Sequence, residues 1–353
     1  MAILQTRNIK IRGISACVPE YTEDNKQLPL FANKEEVAKF IDTTGIEFRH
    51  TVKGRDICTS DLCYEAAVKL MKELNWLPEE IDCLIFVTQT PDYILPATAC
   101  ILQNRLQLPQ DCYALDISLG CSGWVYGLSS ISALMSSGSM KKGLLLAGDT
   151  TTVTKNPKDK STYPLFGDAG TATAIEFDEG NEGIRFHMGT DGKGHAAIMI
   201  PDGGFRNFVN ADSFIEKEIE PGIFRSRLQS ILDGPSVFTF GIIKAPKSVN
   251  ALIEHFGISK EDIDYFVFHQ ANLIMNEKIR TKLKIEPEKV PYTLGDYGNT
   301  SSASIPLTIV ARLNKALSSD KRRILVCAFG VGLSWASAVF DTENFVCPAV
   351  VEI

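Results

Sequence analysis

The sequence predicts an α/β protein made of two similar halves packed together. Short β-rich runs alternate with amphipathic helical runs along the whole chain. The composition is even, with no low-complexity stretch or long linker, so packed rather than tethered units are expected. A succession of elements in the first half recurs in the second.

The bulk numbers fit this picture. With 353 residues, 44% hydrophobic and 22% charged, the chain can bury a large core as one big domain or two smaller ones. A net charge of -7 disfavours non-specific nucleic-acid binding, which needs a basic face. The opening MAILQTRNIKIRGISACVPE has no charged head followed by a long apolar run, so no secretory leader is expected. No apolar run approaches the roughly eighteen residues of a spanning helix, so no membrane association is expected either. The nine cysteines are scattered and odd in number; Cys58 and Cys63 form a C-x4-C pair with no second pair to complete a zinc site. A reduced, cytoplasmic protein is expected, with neither metal nor cofactor.

The repeat sets the architecture. PEEIDCLIFVTQT begins at Pro78 and SKEDIDYFVFHQAN at Ser259. Each has an acidic turn, Ile-Asp, a β-rich run and then a glutamine, Gln89 or Gln270. The next elements also correspond: a strand, a Gly-containing turn, a helix, a basic turn (Lys141-Lys142; Lys321-Arg322-Arg323) and an apolar strand. This predicts duplicated halves, residues 1–180 and 181–353, related by a pseudo-two-fold axis. Equivalent turns would face one cleft, bringing together Cys121, Asn299 and the strand-end His269.

Each of the three has a chemical rationale and a bland alternative. Ala114–Ile117 reads as a buried strand, and Leu119-Gly120-Cys121-Ser122-Gly123 as a sharp turn into an apolar helix. A thiol at that apex, beside a helix N-terminus, suits a nucleophile with a lowered pKa; it could equally be a buried structural cysteine. His269 closes the run Tyr265–Phe268, where a satisfied core histidine is also common. Asn299 sits in GDYGNTSSASIP, where it could be a turn or cap residue. The turn Phe329-Gly330-Val331-Gly332 could offer backbone N–H groups to an anionic oxygen.

At these residues the chain resembles the β-ketoacyl-acyl-carrier-protein synthase III family, condensing enzymes of the thiolase superfamily. The resemblance runs nearly end to end through TGIEFRH, the Cys121 turn, FGDAGTATA, LDGPSVF, HQAN, GNTSSASIP and AFGVGLSWASA. It implies a thiolase-like five-layer αβαβα fold and a homodimer. The implied reaction is acyl transfer to Cys121 from an acyl-CoA or acyl-carrier thioester, then decarboxylative condensation with malonyl-acyl carrier protein, in fatty acid or related acyl-chain biosynthesis. His269 and Asn299 would hold the malonyl thioester oxygen, and the Cys121 and Val331 N–H groups would form an oxyanion hole. Leu95, reaching across the dimer, with Leu232 and Phe238, would line the substrate tunnel.

The chain also departs from the family pattern. Where relatives carry a Trp and an Arg for the CoA adenine, it has Lys39 and Thr43; where an Arg commonly follows HQAN-Leu for carrier docking, it has Ile274. Lys278, Arg280 and Lys282 are the substitutes expected for docking. Asp202 to Arg227 looks longer than in compact relatives. A donor on a carrier protein, or a specialised product pathway, is therefore an expectation. Another enzyme on this fold could move the acyl group from Cys121 to a hydroxyl or amine without decarboxylation. A hydroxymethylglutaryl-CoA synthase would need an upstream catalytic Glu, for which Glu79 and Glu80 sit in an exposed turn. A thiolase proper would need a second catalytic cysteine, and Cys327 lies inside a strand. A non-catalytic scaffold would have no use for Cys121, His269 and Asn299 together.

Overall fold

The computed structural model describes residues 2–353. Two sheets form its frame. The first has six strands in the order Val351–Glu352, Ile9–Val18, Ala169–Phe177, Lys142–Asp149, Cys83–Val87, Tyr113–Ile117. The second has five, in the order Ala2–Thr6, Ile184–Thr190, Ser334–Thr342, Arg322–Gly330, Tyr265–Phe268. The repeat is visible in the pairing. Cys83–Val87 runs parallel to Lys142–Asp149, which pairs antiparallel with Ala169–Phe177. Tyr265–Phe268 runs parallel to Arg322–Gly330, which pairs antiparallel with Ser334–Thr342. The terminal strands are exchanged: Ala2–Thr6 lies in the second sheet and Val351–Glu352 in the first.

Period-two alternation builds the layers. Ile85, Val87, Leu145 and Ala147 of the first sheet face inward, as do Ile324, Val326 and Ala328 of the second. Between the sheets lie the helices Gly123–Met135 and Ser304–Ser319, whose Val125, Leu128, Ile131, Ile309 and Leu313 share that core. The alternate residues Leu84, Phe86, Leu144 and Leu146 face outward and pack on the helices Thr59–Leu74 and Thr98–Arg105. Phe266, Phe268, Leu325 and Cys327 pack on Gly234–Phe256 and Leu273–Leu283. Five layers result, helix–sheet–helix–sheet–helix, as expected.

Three features differ from the sequence reading or refine it. Tyr113–Ile117 is a strand, but it is the open edge of its sheet, with Tyr113 and Leu115 exposed rather than buried. Its counterpart near 289–293 forms no strand. Pro291 has no N–H to donate to a ladder, Thr293 N–H donates to Gln270 Oε1, and the Tyr292 carbonyl accepts from Arg312 Nε. The long Asp202–Arg227 segment is an excursion closed at its base, where Asp202 takes Nε and Nη2 of Arg227 at 2.8 Å each. A small hairpin, Lys217–Glu220 with Ile223–Arg225, lies within it.

Candidate active site

The two central helices begin where the halves meet, and the turns leading into them carry the site. Cys121 follows Gly120 and precedes the helix Gly123–Met135. It is half-buried and faces a cavity of about 630 Å³. Gly330 lets the thiol come close: a Cβ there would lie 2.6 Å from Cys121 Cβ and 2.7 Å from its Sγ. Burial pushes the Cys121 thiol above its ordinary pKa, and this outweighs the opposing hydrogen bonds from the Val331 N–H, Ser301 and its own N–H. The thiol pKa is therefore raised, where the place of Cys121 before a helix led to the expectation of a lowered one.

His269 ends its strand, with its N–H donated to the Cys327 carbonyl at 2.9 Å. Its ring is buried, set edge-on to Phe329 at 5.6 Å, with Nδ1 2.7 Å from Ser304 Oγ. Burial drives its pKa down to about 3, against a hydrogen bond with the Ser301 backbone, so the imidazole is neutral at physiological pH. Asn299 is held by the 2.9 Å bond from its N–H to the Leu165 carbonyl. Its Oδ1 accepts the Ser301 N–H at 3.0 Å, which leaves Nδ2 as the free donor. Cys121, His269 and Asn299 all line the one cavity, together with Val331, Leu232 and Phe238.

The other sequence candidates lie elsewhere. Leu95 is 77% exposed and does not line the cavity within a single chain. Lys278 and Lys282 are exposed on the helix Leu273–Leu283. Arg280 is turned inward onto Glu277 and the Ile285 carbonyl. Thr43 and Ile274 share a shallow groove with Phe238 and Asn272, beside the cavity mouth.

Sequence reasoning passed over Asp149. It is fully buried at the end of its strand and ties the two halves together. Oδ1 accepts the Gln89 N–H at 2.7 Å, while Oδ2 accepts the Ser302 N–H at 3.1 Å and the Ser302 hydroxyl at 2.7 Å. An acidic residue closing the apolar run Gly143–Gly148 was the available signal. Lys155, which also lines the cavity, was missed as well.

The chain is similar to known proteins over most of its length. Residues 115–192 match the family model "3-Oxoacyl-[acyl-carrier-protein (ACP)] synthase III", and residues 253–342 match that of its C-terminal part. A β-ketoacyl-[acyl-carrier-protein] synthase III of Rhodopirellula baltica is 33% identical over 356 residues, 95% of this chain and 98% of the relative. The chain belongs to the β-ketoacyl-acyl-carrier-protein synthase III family. The corresponding enzyme of Caldanaerobacter subterraneus is 35% identical, over 86% of this chain and 91% of its own. The 3-oxoacyl-(acyl-carrier protein) synthase structure from Burkholderia xenovorans superimposes with a TM-score of 0.93 at 38% identity, covering 100% and 99% of the two chains. As a family member the chain is a condensing enzyme with the thiolase-like fold. Among the described residues, no helix is long and apolar enough to cross a membrane.

Proposed function

We propose that this synthase III family member loads an acyl group on Cys121 and condenses it with malonyl-acyl carrier protein, in fatty acid or related acyl-chain synthesis. The observation that carries this reading is the convergence of Cys121 from one half with His269 and Asn299 from the other on a single cavity. In the first step the Cys121 sulfur attacks the thioester carbonyl, the bond to the donor sulfur breaks, and the Cys121 proton departs on the donor thiol. The carbonyl oxygen is received by the N–H groups of Cys121 and Val331. In the second step the malonyl C–C bond breaks and CO₂ departs. The electron pair becomes an enolate whose oxygen takes hydrogen bonds from His269 and from Asn299 Nδ2. This role requires the tautomer with the proton on Nε2, in which the Ser304 hydroxyl donates to Nδ1, and a neutral ring adds no competing negative charge. The enolate carbon then attacks the acyl-cysteine, and the Cys121 sulfur leaves, giving the β-ketoacyl thioester.

A homodimer completes this reading. Tyr93, Ile94 and Leu95 are 63%, 74% and 77% exposed, and the edge strand Tyr113–Ile117 is open for pairing. Leu95 would then reach a partner's cavity. Lys278 and Lys282 are the exposed cations that would meet an acidic carrier protein, Lys282 from a hydrogen bond to the Ile242 carbonyl at 3.1 Å, with Arg280 held back by Glu277. Nine free cysteines suit a reducing cytoplasm. The division at 180/181 is retained for the two halves, each lending a terminal strand to the other's sheet.

Intact-mass spectrometry with a panel of acyl-CoA and acyl-carrier thioesters tests the first step, and CO₂ release from malonyl-carrier protein tests the second. A covalent adduct lost in Cys121→Ala, with CO₂ released by the acylated wild type, is the expected result. An adduct that persists in Cys121→Ala overturns the nucleophile assignment. Acyl turnover without CO₂ release favours transfer to a hydroxyl or amine acceptor instead.

A further inference from the structure

The cavity carries a charge that condensation with a plain aliphatic acyl group leaves unused. Lys155 is the one cationic side chain among the described residues lining it, and no carboxylate lines it alongside. Its ammonium is held by neutral groups: it donates to Ser230 Oγ and to Thr154 Oγ1, the latter at 3.3 Å, and lies 4.2 Å from the centre of the Phe166 ring. The wall is fixed there, because the Ser230 N–H donates to the Thr154 carbonyl at 3.0 Å. Around it the lining is largely apolar, with Ile198, Ile200, Leu232, Val237, Phe238 and Met275.

A desolvated ammonium without a counter-ion is costly when methylenes are the only company offered, and favourable when an anion arrives. Two carboxylates could reach this cavity, one on the acyl donor and one on the malonyl extender. The malonyl carboxylate leaves as CO₂, and its charge moves to the thioester oxygen in the transition state. A cation clamped on it would stabilise the ground state more than the transition state and so slow the reaction. A carboxylate that stays in the product has no such drawback. We propose that Lys155 is a specificity-determining residue which selects an acyl donor bearing a distal carboxylate and rejects the matched aliphatic chain. This rests on Cys121 being the acyl carrier. Burial lowers the Lys155 pKa to about 8, against the opposing charges of Cys121, Asp168, Asp149 and Asp159, which leaves the ammonium predominantly charged at neutral pH and ready to pair.

The test uses the full-length protein and pantetheine thioesters in length-matched pairs, butyryl against succinyl and hexanoyl against adipoyl. Acylation of Cys121 is followed by intact mass. In wild type, at least one carboxylated member should acylate at least about tenfold faster than its neutral partner, the scale of one charge-assisted hydrogen bond in a desolvated site. Lys155→Met should bring that ratio to one or below, and Lys155→Arg should keep it above one, which separates charge from folding. A wild-type preference for the neutral member of both pairs overturns the inference. So does a Lys155→Met variant that keeps the wild-type ratio, or one that leaves the ratio alone and raises the KM for malonyl-carrier protein. No adduct from any thioester in the panel would instead overturn the nucleophile reading on which the inference rests.

Discussion

Replacing Gly330 by alanine is the sharpest probe of how the two halves meet. The added Cβ would lie 2.6 Å from Cys121 Cβ and 2.7 Å from its sulfur. Carbon atoms in comfortable contact stand about 3.5–4.0 Å apart, so the Cys121 turn or the Gly330–Val331 strand end must move by about 1 Å. Overpacking of that kind costs about 1–3 kcal/mol of stability. The kinetic effect should be larger than the stability loss suggests. The same shift carries the Val331 N–H away from the carbonyl it serves, and a misplacement of about 1 Å can cost about 10²-fold in rate. Acylation of Cys121 by a saturating thioester, read by rapid-quench intact mass at a temperature where the variant is folded, should fall by about that factor. A Gly330→Ala enzyme that is folded and acylates at the wild-type rate would refute the claim that the close approach of strand and thiol matters for the chemistry.

Other consequences can be measured independently. Asn299→Ala should still form the Cys121 adduct while CO₂ release from malonyl-carrier protein drops by about 10²–10³-fold, the usual loss for one oxyanion donor. Asp149→Ala leaves the Gln89 and Ser302 N–H groups without an acceptor, at about 1–3 kcal/mol each. Urea unfolding should show a lower midpoint. His269 has an ordinary pKa of 6.5 when unfolded and about 3 when folded, so between these values the unfolded chain binds the proton that the native ring refuses. That residue's contribution to stability is thus intact above pH 6.5 and is lost as the pH falls towards 3. Unfolding at pH 7 and pH 4.5 should show a smaller acid loss in His269→Gln than in wild type.

The features legible in the sequence were local and periodic. The alternation of Leu84, Ile85, Phe86 and Val87 into two separate cores comes from strand geometry, and the glycines around Cys121 announce a turn before a helix. The repeat brought His269 and Asn299 towards Cys121 because corresponding turns in duplicated halves face a common centre. The remainder depended on contacts between distant segments. That Gly330 must lack a side chain is set by Cys121, far away in sequence, and nothing in Phe329-Gly330-Val331 announces it. Lys155 reads as one more polar residue in a threonine-rich loop until Ser230 and Phe166 enclose it. The expected strand near 289–293 failed because Pro291 and the side-chain bonds of Gln270 and Arg312 overrode the apolar pattern. Burial likewise raised the Cys121 thiol pKa, a shift set by the whole cavity wall and not by its own turn.

The exchange of terminal strands bears on how the chain is made. The ribosome delivers Ile9–Val18 early and Val351–Glu352 late, yet Val351 pairs with Cys17 and Glu352 with Val18. One border of the six-stranded sheet stays unzipped until Val351 and Glu352 have been made, more than three hundred residues after their partners. Deleting residues 351–353 should loosen a sheet whose other strands were synthesised long before.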